Sequence, residues 1–392
     1  MRRTLDNANQ LFQADITAFI EEYWPQDSEV ITPAHHVRWR QALVARGWSV
    51  PDWPVESGGL DWTATQKFLW HQACAARGVD GLLEDPGRAI VGPIIYKEGR
   101  ATQIAKFLPG IRDLRARWCI GFAEPECGTD LSRMTFSAQE TRGGFLLSGR
   151  KTWVAGALSA DWLCILARLQ TSTAAGDQNQ FILVAVELSD PGITLKPVTT
   201  LDGATNMAEV ELHKLQIDRS HLLAGPTDGA VFAQLFTASA FSSLSRSAIA
   251  QAQLEALDGA MQGFADDDPL YTKRHSVAID LAGLQALELR FLDALERGVE
   301  APVPLSVLHI KSREILLQLG ALQMECFGYY ALPYPDEVLL HNEGPIGPQG
   351  AVTAMRTALA RHVAALYEGS AEEMKDAIAR KLEILDNHIE DH

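Results

Sequence analysis

A chain of 392 residues with 47% hydrophobic and 21% charged residues has the composition of a soluble globular protein, long enough for two or three domains. Its net charge of −16 argues against a nucleic-acid partner, which needs concentrated Lys and Arg; no apolar run of about 18 residues offers a membrane span. The cysteines Cys74, Cys119, Cys127, Cys164 and Cys326 are odd in number and without a CxxC pair, as buried thiols are in a reducing compartment. No apolar stretch follows Arg2 and Arg3 to make a signal peptide, so a cytoplasmic enzyme is the expectation.

The first segment reads as helices punctuated by Pro and Gly. Leu11, Ile16, Phe19 and Ile20 recur at helical intervals, and Asp61 is the expected cap of a helix over Trp62 to Arg77 that buries Phe68, Leu69 and Cys74. Between them, Trp48 to Gly59 is too rich in Pro and Gly for a helix and reads as a loop packed down by its aromatic anchors. The adjacent His35 and His36 point apart on any regular element, which favours a solvated loop pair over a metal site. From about Arg117 the period changes to two. Trp162 to Arg168 and Gln180 to Glu187 are short apolar runs flanking a turn-rich stretch, and Ile193, Leu195, Val210 and Leu212 alternate with polar neighbours. From Val231 helical periodicity returns, with one stripe of Val277, Leu281, Leu284, Phe291 and Leu295 and another of Leu308, Ile315, Leu319 and Leu322. Gly225-Pro226 and Asp268-Pro269 read as breaks between elements. The expectation is an α+β protein: an N-terminal helical domain over residues 1–116, a middle β-barrel-like domain over 117–228 and a C-terminal four-helix bundle over 229–392. There is no internal repeat.

Several familiar chemistries lack their motifs. GxGxxG after a strand, GxxxxGK[ST], GxSxG and HExxH are missing, and the histidines form no ligand-like cluster, so no metal is expected. Glu124-Pro125 stops a strand, and Gly128-Thr129-Asp130 is either an anion-contacting turn or an ordinary hairpin connection. Trp153, read as lying at a strand start, could cover a flat conjugated ring or belong to the core. Near the C-terminal end Leu359, Val363 and Leu366 share a helical face that leaves Tyr367 and Glu368 at its end, where Gly369 ends or bends the helix. Glu368 there is either a cleft-facing carboxylate or a solvated helix-end acid.

The order and spacing of three stretches resemble the acyl-CoA dehydrogenase family: Phe122-Ala-Glu-Pro-Glu-Cys-Gly-Thr-Asp130, Lys151-Thr-Trp153 with Ala160-Asp161, and Tyr367-Glu-Gly-Ser370. The resemblance covers almost the entire chain. It implies a helical domain, a β domain and a four-helix bundle, with FAD between the last two. It also implies that Glu368 removes the α-proton of an acyl-CoA thioester while the β-hydride passes to flavin N5. Trp153 would pack on the flavin, Phe122 and Ala123 would contact it through the backbone, and Ala155 would stand at a further flavin contact. Thr129 would meet the CoA moiety, Ser370 and Glu372 the FAD diphosphate or ribose. Arg246 is either a surface cation or a contact for the thioester end of the substrate. An electron-transferring flavoprotein would reoxidise the flavin.

Departures from the pattern bear on the cofactor. Ala123 and Ala155 stand where the family usually has a hydroxyl residue. Losing two such hydrogen bonds, at roughly 0.5 to 1.5 kcal/mol each, would weaken FAD tenfold or more. The Arg-x-x-Phe-Gly segment is replaced by Tyr271-Thr-Lys-Arg-His275, and the usual Gln-x-x-Gly-Gly-x-Gly is reduced to Gln323-Met-Glu-Cys-Phe-Gly328. Such losses resemble the branch that builds α2β2 heterotetramers for bulky ring-bearing or dicarboxylic acyl-CoAs. Asp266-Asp-Asp-Pro-Leu270 and Tyr329-Tyr-Ala-Leu-Pro333 are similar to that branch too. A homo- or hetero-oligomer is expected. The alternatives are a non-catalytic structural subunit of such a complex and a flavin oxidase on the same fold.

Overall fold

In the computed structural model the described residues are 7–25, 31–79, 81–82, 85–126, 133–170, 180–227, 245–265, 267–299, 305–332, 347–348, 350–364 and 371–382. Five helices come first: α1 (Asn7–Tyr23), α2 (Pro33–Arg46), α3 (Ala64–Ala76), α4 (Gly92–Glu98) and α5 (Ala101–Arg112). On α1 the periodic residues Ile16, Phe19 and Ile20 are buried, whereas Leu11 is 66% exposed. His35 and His36 sit on α2 rather than in a solvated loop. Pro33 pre-sets the first turn, Thr32 N donates to His35 Nδ1 at 3.1 Å, and His36 packs edge-on against Trp24 at 5.3 Å. Helix α3 starts later than expected, because Thr63 rather than Asp61 caps it. Gln66 N donates to Thr63 Oγ1 at 3.2 Å and Thr63 N to Gln66 Oε1 at 2.9 Å, a reciprocal box, while Asp61, at φ 51, still belongs to the turn. The loop between is pinned as its aromatics require. Trp48, Val50 and Trp53 are buried, and α4 begins at Gly92, where a Cβ would come within 2.0 Å of Trp53 Cζ2.

Eight strands follow: β1 (Trp118–Gly121), β2 (Ser137–Glu140), β3 (Gly144–Ala155), β4 (Trp162–Gln170), β5 (Phe181–Glu187), β6 (Ile193–Val198), β7 (Met207–Asp218) and β8 (Leu222–Thr227). They form one mixed sheet in the order β6-β7-β3-β2-β4-β5-β8, with β1 also on β4. Two short strands share one edge of β4 end to end: β1 lies parallel to it from Trp118↔Trp162 to Gly121↔Ile165, and β2 from Ser137↔Arg168 onward. The apolar runs Leu163 to Ala167 and Phe181 to Val186 are buried at every position, which is why they lack alternation. Gly225-Pro226 lies inside β8 rather than between elements; β8 ends the strand path, where a missing N–H is tolerated. The sheet's core is continuous with Trp53, Val91, Ile94, Phe107 and Ile111 from the helices before it. Gln103 Nε2 of α5 donates to Ser220 O at 2.9 Å, and Phe107 packs edge-on against both Trp118 and Trp162.

The last helices are α6 (Arg246–Ala260), α7 (Pro269–Glu296), α8 (Ser306–Phe327), α9 (Ala351–Ala364) and α10 (Ala371–Lys381). Asp268 caps α7 through Leu270 N at 2.9 Å, so the chain breaks there as Asp-Pro suggests. Helices α6, α7 and α9 all pack on α8, the four-helix arrangement. Val277, Leu281, Leu284 and Phe291 are buried with Leu308, Ile315, Leu319 and Leu322, while Leu295 at the stripe's end is 41% exposed. Gly320 lets α9 approach: a Cβ there would sit 3.3 Å from Ala358 Cα. Helix α3 joins this core through Phe68, and its first turn is tied to α7 by Thr65 N donating to Glu296 Oε1 at 2.7 Å. Among the described residues no helix is long and apolar enough to cross a membrane.

Candidate active site

The chain leaves β1 at Gly121 and runs beside the end of β3, which brings Phe122, Ala123 and Glu124 next to Lys151, Thr152 and Trp153. Thr152 N donates to Ala123 O at 2.9 Å, and Lys151 Nζ donates to Phe122 O at 3.1 Å. The same ammonium donates to Glu124 Oε1 at 2.9 Å, with 0% and 1% of the two side chains exposed. Glu124 also accepts from Phe136 N at 3.0 Å and from Thr135 N and Oγ1, each at 2.8 Å. Burial pushes the Glu124 carboxyl up, but Lys151 and the Thr135 hydrogen bonds together hold it below the usual carboxylate range. A buried ion pair so fully bonded fixes the 122–124 segment against β3. Both lie within the stretches that carry the family resemblance, but from the sequence Glu124 has only the role of a strand stop and Lys151 none. The available signal was a lysine between the core positions Leu147 and Val154.

Trp153 lies near the end of β3 rather than at a strand start. Strand β3 reaches back to Gly144 because Gly149, at φ 141, lets it pass Phe136 closely. Between Lys151↔Val210 and Val154↔Ala208 the register shifts, and Trp153 occupies this bulge at φ 54. Bulges re-aim side chains, and a bulky residue in the left-handed region costs about 1–3 kcal/mol. The result is that Phe122, Ala123, Trp153 and Ala155 are half-buried while Lys151, Thr152 and Val154 among them are buried. The corner thus leaves four apolar side chains partly open on a backbone pinned by hydrogen bonds.

Of the other sequence-derived candidates, Thr129, Glu368 and Ser370 lie outside the described residues. Glu372 is exposed on the first turn of α10. Arg246 is the first residue of α6 and only 7% exposed, which removes the surface-cation reading. In the Tyr271 to His275 stretch, Arg274 is held by Asp258 through two bonds of 2.7 and 2.5 Å, and Lys273 by Glu325 at 2.5 Å. Among the described residues no group of His, Cys, Asp and Glu could hold a metal. Cys119 and Cys164 are buried, and burial pushes both thiols up to about 12, so they are inert.

The model of the acyl-CoA dehydrogenase middle domain matches residues 119–219, a range that holds this corner and the sheet as far as β7. Acyl-CoA dehydrogenase IpdE1 of Mycobacterium tuberculosis (strain ATCC 25618 / H37Rv) is 27% identical over 302 residues, 76% of this chain and 77% of that protein. Residues 119–219 thus carry the middle domain of an acyl-CoA dehydrogenase. Acyl-CoA dehydrogenase IpdE1 of Mycolicibacterium smegmatis is 26% identical over 307 residues, 75% of this chain and 77% of its own. The fold is that of the Tcur3481-Tcur3483 steroid ACAD, with a TM-score of 0.80 at 17% identity over 98% of this chain and 99% of the other. The ChsE4-ChsE5 complex from Mycobacterium tuberculosis superposes with a TM-score of 0.77 at 17% identity over 97% of each chain. Acyl-CoA dehydrogenases bind FAD; Phe122, Ala123, Trp153 and Ala155 are each half-buried, and apolar side chains of this kind are what a flat conjugated ring packs against.

Proposed function

We propose that this chain is an acyl-CoA dehydrogenase that introduces an α,β double bond into a CoA thioester, with Glu368 as the base. The observation that carries the reading is the corner of 122–124 and 151–155, where a buried Glu124–Lys151 pair holds the half-buried Phe122 and Ala123 beside Trp153. Phe122, Ala123, Trp153 and Ala155 would hold FAD there, which supplies the hydride acceptor. Substrate binding would strip water from Glu368 and so raise the proton affinity of its carboxylate towards that of the α-carbon. The backbone N–H of Glu368 would hold the developing enolate oxygen, Arg246 the thioester end and Thr129 the CoA moiety. Ser370 and Glu372 would lie towards the FAD diphosphate or ribose. Purified protein should show flavin absorption that bleaches anaerobically with an acyl-CoA; Glu368→Gln should keep the colour and lose the bleaching. A protein that never reduces flavin with any acyl-CoA, even with its partner chain present, would sink the reading.

Sharing of the cofactor with a second, unlike chain is part of the proposal. Arg274 and Lys273, the cations of the stretch that replaces Arg-x-x-Phe-Gly, are paired with Asp258 and Glu325, and Ala123 and Ala155 donate no side-chain bond. Bulky ring-bearing or dicarboxylic acyl-CoAs are the substrates this arrangement suggests, with an electron-transferring flavoprotein as acceptor. The same observations favour, as a second reading, a non-catalytic subunit that keeps the fold for an active partner. Glu368→Gln in the assembled complex separates the two, since a silent chain would lose nothing; oxygen consumption without another acceptor would mark an oxidase.

A further inference from the structure

Glu288 occupies a core position of α7, in phase with Leu281, Leu284 and Phe291, and is 0% exposed. An apolar residue there would pack without the penalty of burying a carboxyl group. What Glu288 does instead is bond to the first turn of α6. Ser247 N donates to Glu288 Oε1 at 3.1 Å, and Ser247 Oγ donates to Glu288 Oε2 in a short contact. The first N–H groups of a helix have no partner within it, and Ser245 at the N-cap makes no side-chain cap bond. A side chain 41 residues downstream therefore does the capping. The turn it grips begins with Arg246, and Ser245, Arg246 and Ser247 are all buried.

We propose that Glu288 is a positioning residue: by gripping Ser247 it sets the direction in which α6 begins and so where Arg246 points. This rests on the reading of Arg246 as the contact for the thioester end of a CoA ester. A purely structural cap would stabilise the bundle without affecting that contact, so the two roles part in a binding experiment. Acetyl-CoA, which carries the thioester and CoA but little acyl chain, is titrated calorimetrically into the full-length protein with its partner chain present, with melting followed in parallel.

Arg246→Ala and Glu288→Ala should each raise the Kd for acetyl-CoA about tenfold or more, about the loss of one charge-assisted contact. Because Glu288 acts through Arg246, the double variant should bind no more weakly than Arg246→Ala alone, a non-additivity that a structural role does not produce. Glu288→Gln should bind within about twofold of the wild type, since its amide oxygen still accepts from Ser247 N. Should Glu288→Ala fail to fold, Ser247→Ala removes one of the two bonds with the backbone intact; it should weaken binding several-fold and show the same non-additivity. If Arg246→Ala weakens binding while Glu288→Ala and Ser247→Ala only lower the melting temperature, or the effects add, the positioning role is overturned and the reading of Arg246 stands. If Arg246→Ala binds as the wild type does, or the wild type takes up no acetyl-CoA, that reading falls and the positioning role with it.

Discussion

Lys151 Nζ lies 2.9 Å from Glu124 Oε1 with neither side chain in contact with solvent, and the same ammonium holds the carbonyl of Phe122. Removing one partner leaves the other charge buried and unpaired, which costs about 3–5 kcal/mol. Lys151→Met and Glu124→Gln should therefore each lower the urea midpoint strongly, whereas Lys151→Met with Glu124→Leu should recover part of the loss. Additive losses in the double variant would mean that the two side chains do not act as a pair. The Glu124 carboxyl is held below its ordinary value, so its contribution is present above the unfolded-state pKa and lost as pH falls through the folded one. Acid unfolding of Lys151→Met should lack that part of the pH dependence.

Trp153 at φ 54 makes an unusual substitution order testable. Both Ala and Gly remove the indole, but only Gly adopts this backbone conformation without strain. Trp153→Gly should thus be more stable than Trp153→Ala by about 1 kcal/mol in chemical denaturation, the reverse of the order within an ordinary strand. Equal stabilities would mean that the bulge relaxes once the side chain is gone.

The sequence reveals what is local. The uninterrupted runs 163–167 and 181–186, the aromatic anchors of the 48–59 loop and the stripes of α7 and α8 are legible because each pattern records its own burial. Errors arise where the surroundings decide: a helix that starts at Pro33 carries His35 and His36 on its first turn, and an edge position lets Gly225-Pro226 sit inside β8. Asp61 and Thr63 are both plausible caps, and only the Gln66 side chain selects Thr63. In the site, the motif residues around Phe122 and Trp153 come together, but what holds them does not show. The partners Glu124 and Lys151 are 27 residues apart, Ser247 and Glu288 41, and nothing in either member alone points to its partner.

Glu288 gives a second pH dependence of opposite sign. Burial pushes its carboxyl up to about 8, against the pull of its two Ser247 bonds. The folded state then holds a proton that the unfolded chain releases above about pH 4.5. Its stabilising contribution is complete below that value and is lost as pH rises towards 8, by about 1.4 kcal/mol per pH unit. Glu288→Gln cannot ionise, so the difference in stability between variant and wild type should widen in the variant's favour from pH 5 to pH 8. A constant difference across that range would show that Glu288 does not titrate with folding.

His221 couples α5 to the sheet in a protonation-dependent way. Its Nδ1 lies 2.9 Å from Ala185 O and so carries the proton and donates, which leaves Nε2 to accept from Lys106 Nζ at 3.1 Å. Adding a proton would set an imidazolium N–H against an ammonium. Burial and then the Lys106 charge lower the affinity of the ring for that proton, and they outweigh the Ala185 carbonyl, Asp218 and Glu187, which favour it. With the folded-state pKa depressed, the contribution of neutral His221 is present above the unfolded value near 6.5 and is lost as pH falls through the folded one. Amide hydrogen exchange in α5 and in the 219–221 turn should accelerate on going from pH 7 to pH 5, after correction for the intrinsic exchange rate. Lys106→Met should reduce that acceleration, because a protonated ring then meets no cation; unchanged protection in the wild type at pH 5 would rule out the coupling.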